Sequence, residues 1–306
     1  MDIESAQSIT LGDVEVTRVV EWQGPFVPAR GLVPEAGAEL WKDNEDWLAP
    51  DHWEPESDSA VLALQTWVLR SGGRTILVDT GVGNGRERPD SPRFHHWQGD
   101  FLGALARAGV RPEDVDVVVN THLHSDHVGW NTRDADGEWV PTFPHARYLV
   151  PAADDFHYGP ANAYANGVRQ DDRLLYEDSV APIHRAGQSV LWDGSYRIDE
   201  HLTLESAPGH TPGSSVLRLA SGTDRAVFVG DLLHSPVQIL DPSCNSGFCL
   251  DAEQAAASRL RILERAATER ELVVPAHFGG SGVVEVRREG AGFTLARSTV
   301  GQGRSD

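Results

Sequence analysis

The sequence predicts a layered α/β fold, and three observations carry that expectation. Short apolar runs of strand character recur at residues 60–70, 74–79, 115–120 and 225–230. A helix-spaced stretch, Phe101 to Ala106 with Val110, feeds directly into one of them, as expected where helices cover a buried sheet. Several runs end in sharp turns that bear His or Asp, and loops at strand ends are where such sheets carry function.

In chain order, residues 14–22 alternate, with Val14, Val16 and Val19 or Val20 among polar residues, which predicts an early strand. Residues 24–55 are rich in Pro, Gly, Trp and acids without a period, and read as an irregular N-terminal arm with a short helix about 38–46. Its Trp41, Trp47 and Trp53 suit packing onto the core, a substrate pocket or a homodimer interface. Residues 60–70 and 74–79 form a hairpin across Ser71-Gly72-Gly73. The second strand ends in Asp79-Thr80-Gly81, where an aspartate is placed to accept from a metal-ligating imidazole and fix its tautomer. Gly109 stops the helix that begins at Phe101. Beyond Gly129-Trp130, residues 131–139 read as a polar turn around Asp136-Gly137 and 146–150 as a strand.

Residues 151–180, with Phe156, Tyr158, Tyr164, Leu174, Leu175 and Tyr176, have imperfect amphipathicity and read as a helical insertion near the site. Strands at 188–192, 202–205, 214–220 and 225–230 are assigned to a second, sheet-like half. Asp251 with Gln254 three positions on opens a helix. Its expected buried stripe is Ala255, Ala256, Leu260, Leu263 and Ala267. A last strand, 272–274, runs into Pro275-Ala276-His277, and 301–306 is expected to be a disordered tail.

The strand at 115–120 delivers Thr121-His122-Leu123-His124-Ser125-Asp126-His127. Imidazole and carboxylate are the donors that borderline divalent metals prefer. His122 and His124 differ by two and point to one side of an extended chain, whereas adjacent Asp126 and His127 cannot both follow them. The cluster therefore serves two neighbouring metal positions. Three later stretches share the pattern of apolar strand, turn and ligand: His210 in Pro208-Gly209-His210-Thr211-Pro212-Gly213, Asp231 after Val227-Phe228-Val229-Gly230, and His277. Together they supply five His and two Asp, enough for two metals with open positions.

Composition narrows the partners. The net charge of −20, with one lysine, Lys42, argues against nucleic acid, which needs clustered cations. No apolar run has the length of a membrane span, and the acidic N-terminus lacks the features of a secretory signal, which predicts a cytoplasmic protein. Cys244 and Cys249 are expected to be reduced thiols, although their short loop has the length to close as a disulfide.

From about residue 60 to 280 these motifs, in this order, resemble the metallo-β-lactamase superfamily. The resemblance implies a four-layer αββα sandwich forming a single domain over residues 1–300. It implies one metal on His122, His124 and His210, a second on Asp126, His127 and His277, and Asp231 bridging them, with zinc favoured over manganese, iron or cobalt. A hydroxide between two such metals would attack the substrate, with Asp126 orienting it.

Within the superfamily, Asp231 and the absence of a signal set the chain apart from true β-lactamases, and His124 from flavodiiron-type members, which carry Glu there. It is similar to the N-acyl homoserine lactone lactonase and methyl parathion hydrolase-like group. Lactonases of that group often place a Tyr three positions after the bridging Asp; here stands His234, as on the organophosphate-hydrolase side. The expected function is dinuclear hydrolysis of small-molecule carboxylic esters or lactones, with His234 donating to the substrate oxyanion or leaving group. Phosphotriester hydrolysis at the same site and a non-catalytic metal-binding scaffold are the alternatives.

Overall fold

A computed structural model describes residues 7–162 and 169–296. Tyr164, part of the 151–180 insertion, and the 301–306 tail lie outside the described residues. The strands are β1 Gln7–Leu11, β2 Val14–Pro28, β3 Trp53–Glu54, β4 Ser59–Ser71, β5 Arg74–Val78, β6 Val117–Val119, β7 Thr132–Ala135, β8 Glu138–Pro141 and β9 Arg147–Pro151. They continue as β10 Ser189–Trp192, β11 Ser195–Arg197, β12 Leu202–Ser206, β13 Ser215–Ser221, β14 Asp224–Gly230, β15 Leu272–Pro275, β16 Val284–Glu289 and β17 Gly292–Ala296. The chain forms two compact units, one chiefly Val14–Trp22 with Leu64–Asp199, the other chiefly Gln23–Ala63 with the residues from Glu200 onward. Among the described residues, no helix is long and apolar enough to cross a membrane.

The first unit holds β5, β6, β9 and β10 whole, with Val14–Trp22 of β2 and Leu64–Ser71 of β4, in the sheet order β2-β4-β5-β6-β9-β10. The β4–β5 hairpin turns at Gly72 and Gly73, whose φ of 55° and 74° lie in the left-handed region a tight hairpin turn needs. From β5 onward, β6, β9 and β10 pair in parallel, and both faces of such strands are buried; this is why β5, β6 and β9 are continuous in apolar residues. The helix Phe101–Arg107 buries Phe101 and Leu105 in a core with Val118, Tyr148, Val150 and Ile183.

Two local readings change here. Residues 189–192 belong to the first sheet, since β10 pairs with β9 from Ser189↔Tyr148 to Trp192↔Pro151. Their pattern is that of a strand, but pairing partners are not written in local sequence. The stretch around Asp136-Gly137 is a two-stranded hairpin, β7–β8, with φ of 56° and 87° at the two turn residues. An Asp-Gly turn is a hairpin signal, and the polar flanks masked it.

The second unit carries the sheet β11-β12-β13-β14-β15-β16-β17. The Asp251 carboxylate accepts from the Gln254 amide at 2.9 Å and caps the helix Ala252–Glu269. Its buried stripe is rotated from the expected one: Ala255, Ser258, Arg259, Ile262, Leu263 and Ala266 face inward, while Leu260 is 45% exposed. Arg259 is accommodated inside because its guanidinium donates to the carbonyls of Leu232, Pro242 and Cys244. A second core gathers Trp41, Trp53, Leu32, Leu48 and Val237, with the Trp41 and Trp53 rings 6.0 Å apart. In the arm, β2 extends to Pro28, and helices Ala29–Leu32, Ala38–Lys42 and Glu45–Leu48 follow.

Candidate functional site

Each unit holds its own group of the motif residues. In the first, His122, His124, Asp126 and His127 leave the end of β6 as an extended segment that turns into the short helix Ser125–Val128. The extended backbone at His124 brings His122 Nε2 within 3.1 Å of His124 Nδ1. Two donors bound about 2.0 Å from one tetrahedral cation stand about 3.3 Å apart, so this spacing suits ligands of a shared metal.

Asp79 organises the group. It follows β5 with φ of 59°, a left-handed conformation that few side chains adopt, and is 3% exposed. One carboxylate oxygen accepts from the Thr121 amide at 2.8 Å, and the other meets the Thr121 hydroxyl and His127 Nδ1, each at 2.8 Å. A carboxylate only accepts, so His127 carries its proton on Nδ1 and presents the Nε2 lone pair, 3.9 Å from Asp126 Oδ1. The Thr121 hydroxyl, having donated to Asp79, offers its lone pair to His122 Nδ1 at 3.1 Å, and the same tautomer results. The Thr80 amide donates to the His127 carbonyl and the Gly129 amide to the Gly81 carbonyl, at 2.7 Å and 2.8 Å. Gly129 is demanded by this contact, because a Cβ there would lie 1.9 Å from the Val82 backbone. Asp79→Ala should weaken metal binding by about 10- to 100-fold, read by chelator competition; an unchanged affinity would remove Asp79 from this role.

Beneath the turn, Arg86 donates to the carbonyls of Gly129 and Thr132 and pairs with Asp178 at 2.9 Å. Arg88 meets the same carboxylate at 2.7 Å. Burial pulls the Arg86 guanidinium down to about 10, against the opposing charge of Asp178, so it remains cationic at neutral pH. Nearby, Glu21 accepts from the Val82 amide and from the indoles of Trp97 and Trp130, and burial raises its pKa. Glu87, His95 and His96 form another group of this unit with metal-binding side chains, but the Arg88 amide already uses the His95 Nδ1 lone pair, at 3.0 Å.

In the second unit, Asp231 follows the end of β14 and is surrounded by three imidazoles. His210 Nε2 and His234 Nε2 lie 3.2 Å and 3.1 Å from its Oδ2, and His277 Nε2 lies 3.0 Å from Oδ1. His277 Nδ1 donates to the Ala63 carbonyl at 2.9 Å, so its Nε2 lone pair faces a carboxylate oxygen. Two acceptors so arranged suit a shared cation, and the donor set fits a divalent metal. His210 is fully buried on a loop whose Gly209 has φ of 133°, and a Cβ on Gly209 would lie 2.1 Å from the Ala255 backbone. Burial favours the neutral His210 ring, but the hydrogen bond and charge of Asp231, with Cys249 adding, overcome it and push the imidazole up to about 9.

His234 is 3% exposed, and burial is the main cause of its pKa falling to about 4. Cys244 and Cys249 are free thiols. Cys249 Sγ stands 3.9 Å from His210 Nδ1, a contact across 39 residues that no local pattern announces. Thr121, Arg86 and Asp178 were likewise missed, since their roles rest on partners distant in sequence.

Comparison with known proteins adds a lineage. The metallo-beta-lactamase superfamily model matches residues 61–277. A probable metallo-hydrolase, YybB, of Bacillus subtilis (strain 168) is 26% identical over 184 residues, 59% of this chain and 67% of that protein. An N-acyl homoserine lactonase of Bacillus cereus is 23% identical over 232 residues, 71% of this chain and 82% of the relative. For another curated relative the match spans 57% of its length. Among solved structures, AidC, a dizinc quorum-quenching lactonase in complex with a product, aligns with a TM-score of 0.80 and 22% identity, covering 98% of this chain and 99% of that one.

Proposed function

Because the chain belongs to the metallo-β-lactamase superfamily and has its fold, we propose that it is a dinuclear hydrolase of small-molecule carboxylic esters or lactones. Metal-dependent hydrolysis is the reaction class that its relatives support. The observation that carries the reading is the fixing of imidazole tautomers: His127 by Asp79 and His277 by the Ala63 carbonyl, each turning Nε2 towards a carboxylate oxygen. By motif, His122, His124 and His210 are assigned to one cation, Asp126, His127 and His277 to the other, and Asp231 to both, with zinc suiting the nitrogen-rich set.

Divalent cations bound there would lower the pKa of water towards about 7 and polarise the oxygen on which charge develops. The chain's own groups then position the reactants. Asp126 is proposed to accept a hydrogen bond from the attacking water and orient it. His234 Nε2 lies 3.1 Å from the Asp231 Oδ2, which only accepts, so the ring donates through Nε2–H and leaves Nδ1 as an acceptor. Donation to a substrate oxyanion would require this bond to be given up, so we assign His234 to holding Asp231. No side-chain nucleophile is required.

The test is metal quantification followed by a substrate panel on the metal-replete enzyme. Two equivalents of metal and turnover of lactones or activated carboxylic esters are expected. Preference for a phosphotriester would move the protein to the alternative suggested by His234. Less than one equivalent with no hydrolysis of any substrate would overturn the reading in favour of a scaffold.

A further inference from the structure

Among the described residues, five large apolar side chains are exposed: Phe156, Leu191, Phe248, Leu250 and Leu260. Isolated surface hydrophobes need no explanation. Phe248 and Leu250, 44% and 57% exposed, are different because they share one loop of the second unit. That loop packs directly on the imidazoles around Asp231. The Leu250 amide donates to the His210 carbonyl at 3.0 Å, Cys249 meets the His210 ring, and the Phe248 ring centroid lies 5.9 Å from that of His234. His234 thus touches Asp231 on one side and Phe248 on the other.

The loop is firmly held. The Gly247 amide donates to the Leu32 carbonyl at 2.9 Å, the Phe248 amide to the Ser246 hydroxyl at 3.0 Å, and Arg259 to the Cys244 carbonyl at 2.9 Å. Two apolar side chains are therefore presented to solvent from a braced backbone, one imidazole's width from a proposed metal ligand. In a chain with a net charge of −20, an uncharged ligand segment matches such a surface.

We propose that Phe248 and Leu250 form an apolar lip that takes the acyl or alkyl chain of the substrate, making medium-chain esters or lactones the preferred class. This rests on the hydrolase reading above. The reactive carbonyl lies at the Asp231 group, and the chain runs outward over the Phe248 ring and the Leu250 side chain. Each methylene removed from water contributes about fourfold in affinity, so a lip covering two of them yields about 15-fold selectivity.

The experiment compares wild type with Phe248→Ala, Leu250→Ser and the double variant, using Leu260→Ser as a control for an exposed leucine elsewhere on the unit. One readout is the ratio of kcat/KM for p-nitrophenyl decanoate to that for the acetate, with KM and kcat separated. The other is calorimetric binding of decanoate relative to acetate by the metal-loaded protein, which needs no turnover. In the double variant both ratios should fall about 15-fold, the first through KM, with Leu260→Ser matching wild type. Unchanged ratios, or the same loss in Leu260→Ser, would overturn the lip. If wild type hydrolyses no ester or lactone, the hydrolase reading fails by itself, and the decanoate-binding ratio still decides the lip by the same criterion.

Discussion

On the proposed hydrolase reading, Asp231→Ala is expected to lower ester or lactone kcat/KM by on the order of 1,000-fold, and chelation of the wild-type protein is expected to do the same. The size follows from several kcal/mol of transition-state charge stabilisation supplied by a metal, with each 1.36 kcal/mol equal to a factor of ten. Asp231 is 6% exposed, and three imidazole nitrogens lie within 3.2 Å of its oxygens, so its loss should also lower the bound metal. Elemental analysis and steady-state kinetics on the same preparation check both effects. Re-adding metal should restore the chelated wild type and leave the variant inactive. Full activity in metal-stripped wild-type protein would refute the mechanism.

The second large effect concerns stability. Asp178→Ala leaves Arg86 and Arg88, each 1% exposed, without their shared carboxylate. Arg86 stays charged at neutral pH, with its pKa lowered only to about 10. Removing one partner of a buried ion pair costs about 3–5 kcal/mol, which for a chain of this order of size lowers Tm by roughly 10 °C. Denaturant unfolding and calorimetry measure the loss, and a change below about 1 kcal/mol would show that the two guanidinium groups find water instead. Because Arg86 also holds the carbonyls of Gly129 and Thr132, just beyond the Ser125–Val128 helix, metal affinity should fall with stability.

The positions of the candidate metal-binding side chains at strand ends were legible in the sequence. His122 to His127 follow an apolar strand, and Asp79, Asp231 and His277 each stand at or just after a strand end, so apolar periodicity and turn residues mark them locally. The hairpin across Gly72 and Gly73 and the Asp251 cap were legible for the same reason: each depends on residues within a few positions. The rotated stripe of the Ala252–Glu269 helix was not, because Arg259 is buried by carbonyls from other segments and Leu260 is left outside.

The His-x-His-x-Asp-His cluster is, by sequence alone, a set of donor atoms with a spacing. Tertiary structure decided which nitrogen each ring presents. His127 takes its tautomer from Asp79, 48 residues away, and His277 from the Ala63 carbonyl, 214 residues away. It also decided that Cys249 meets His210, that Phe248 rests on His234, and that β10 joins the first sheet. The physical reason is the same in each case: side-chain chemistry and local periodicity belong to the chain itself, whereas a hydrogen-bond partner or a strand neighbour exists only once distant segments have been brought together.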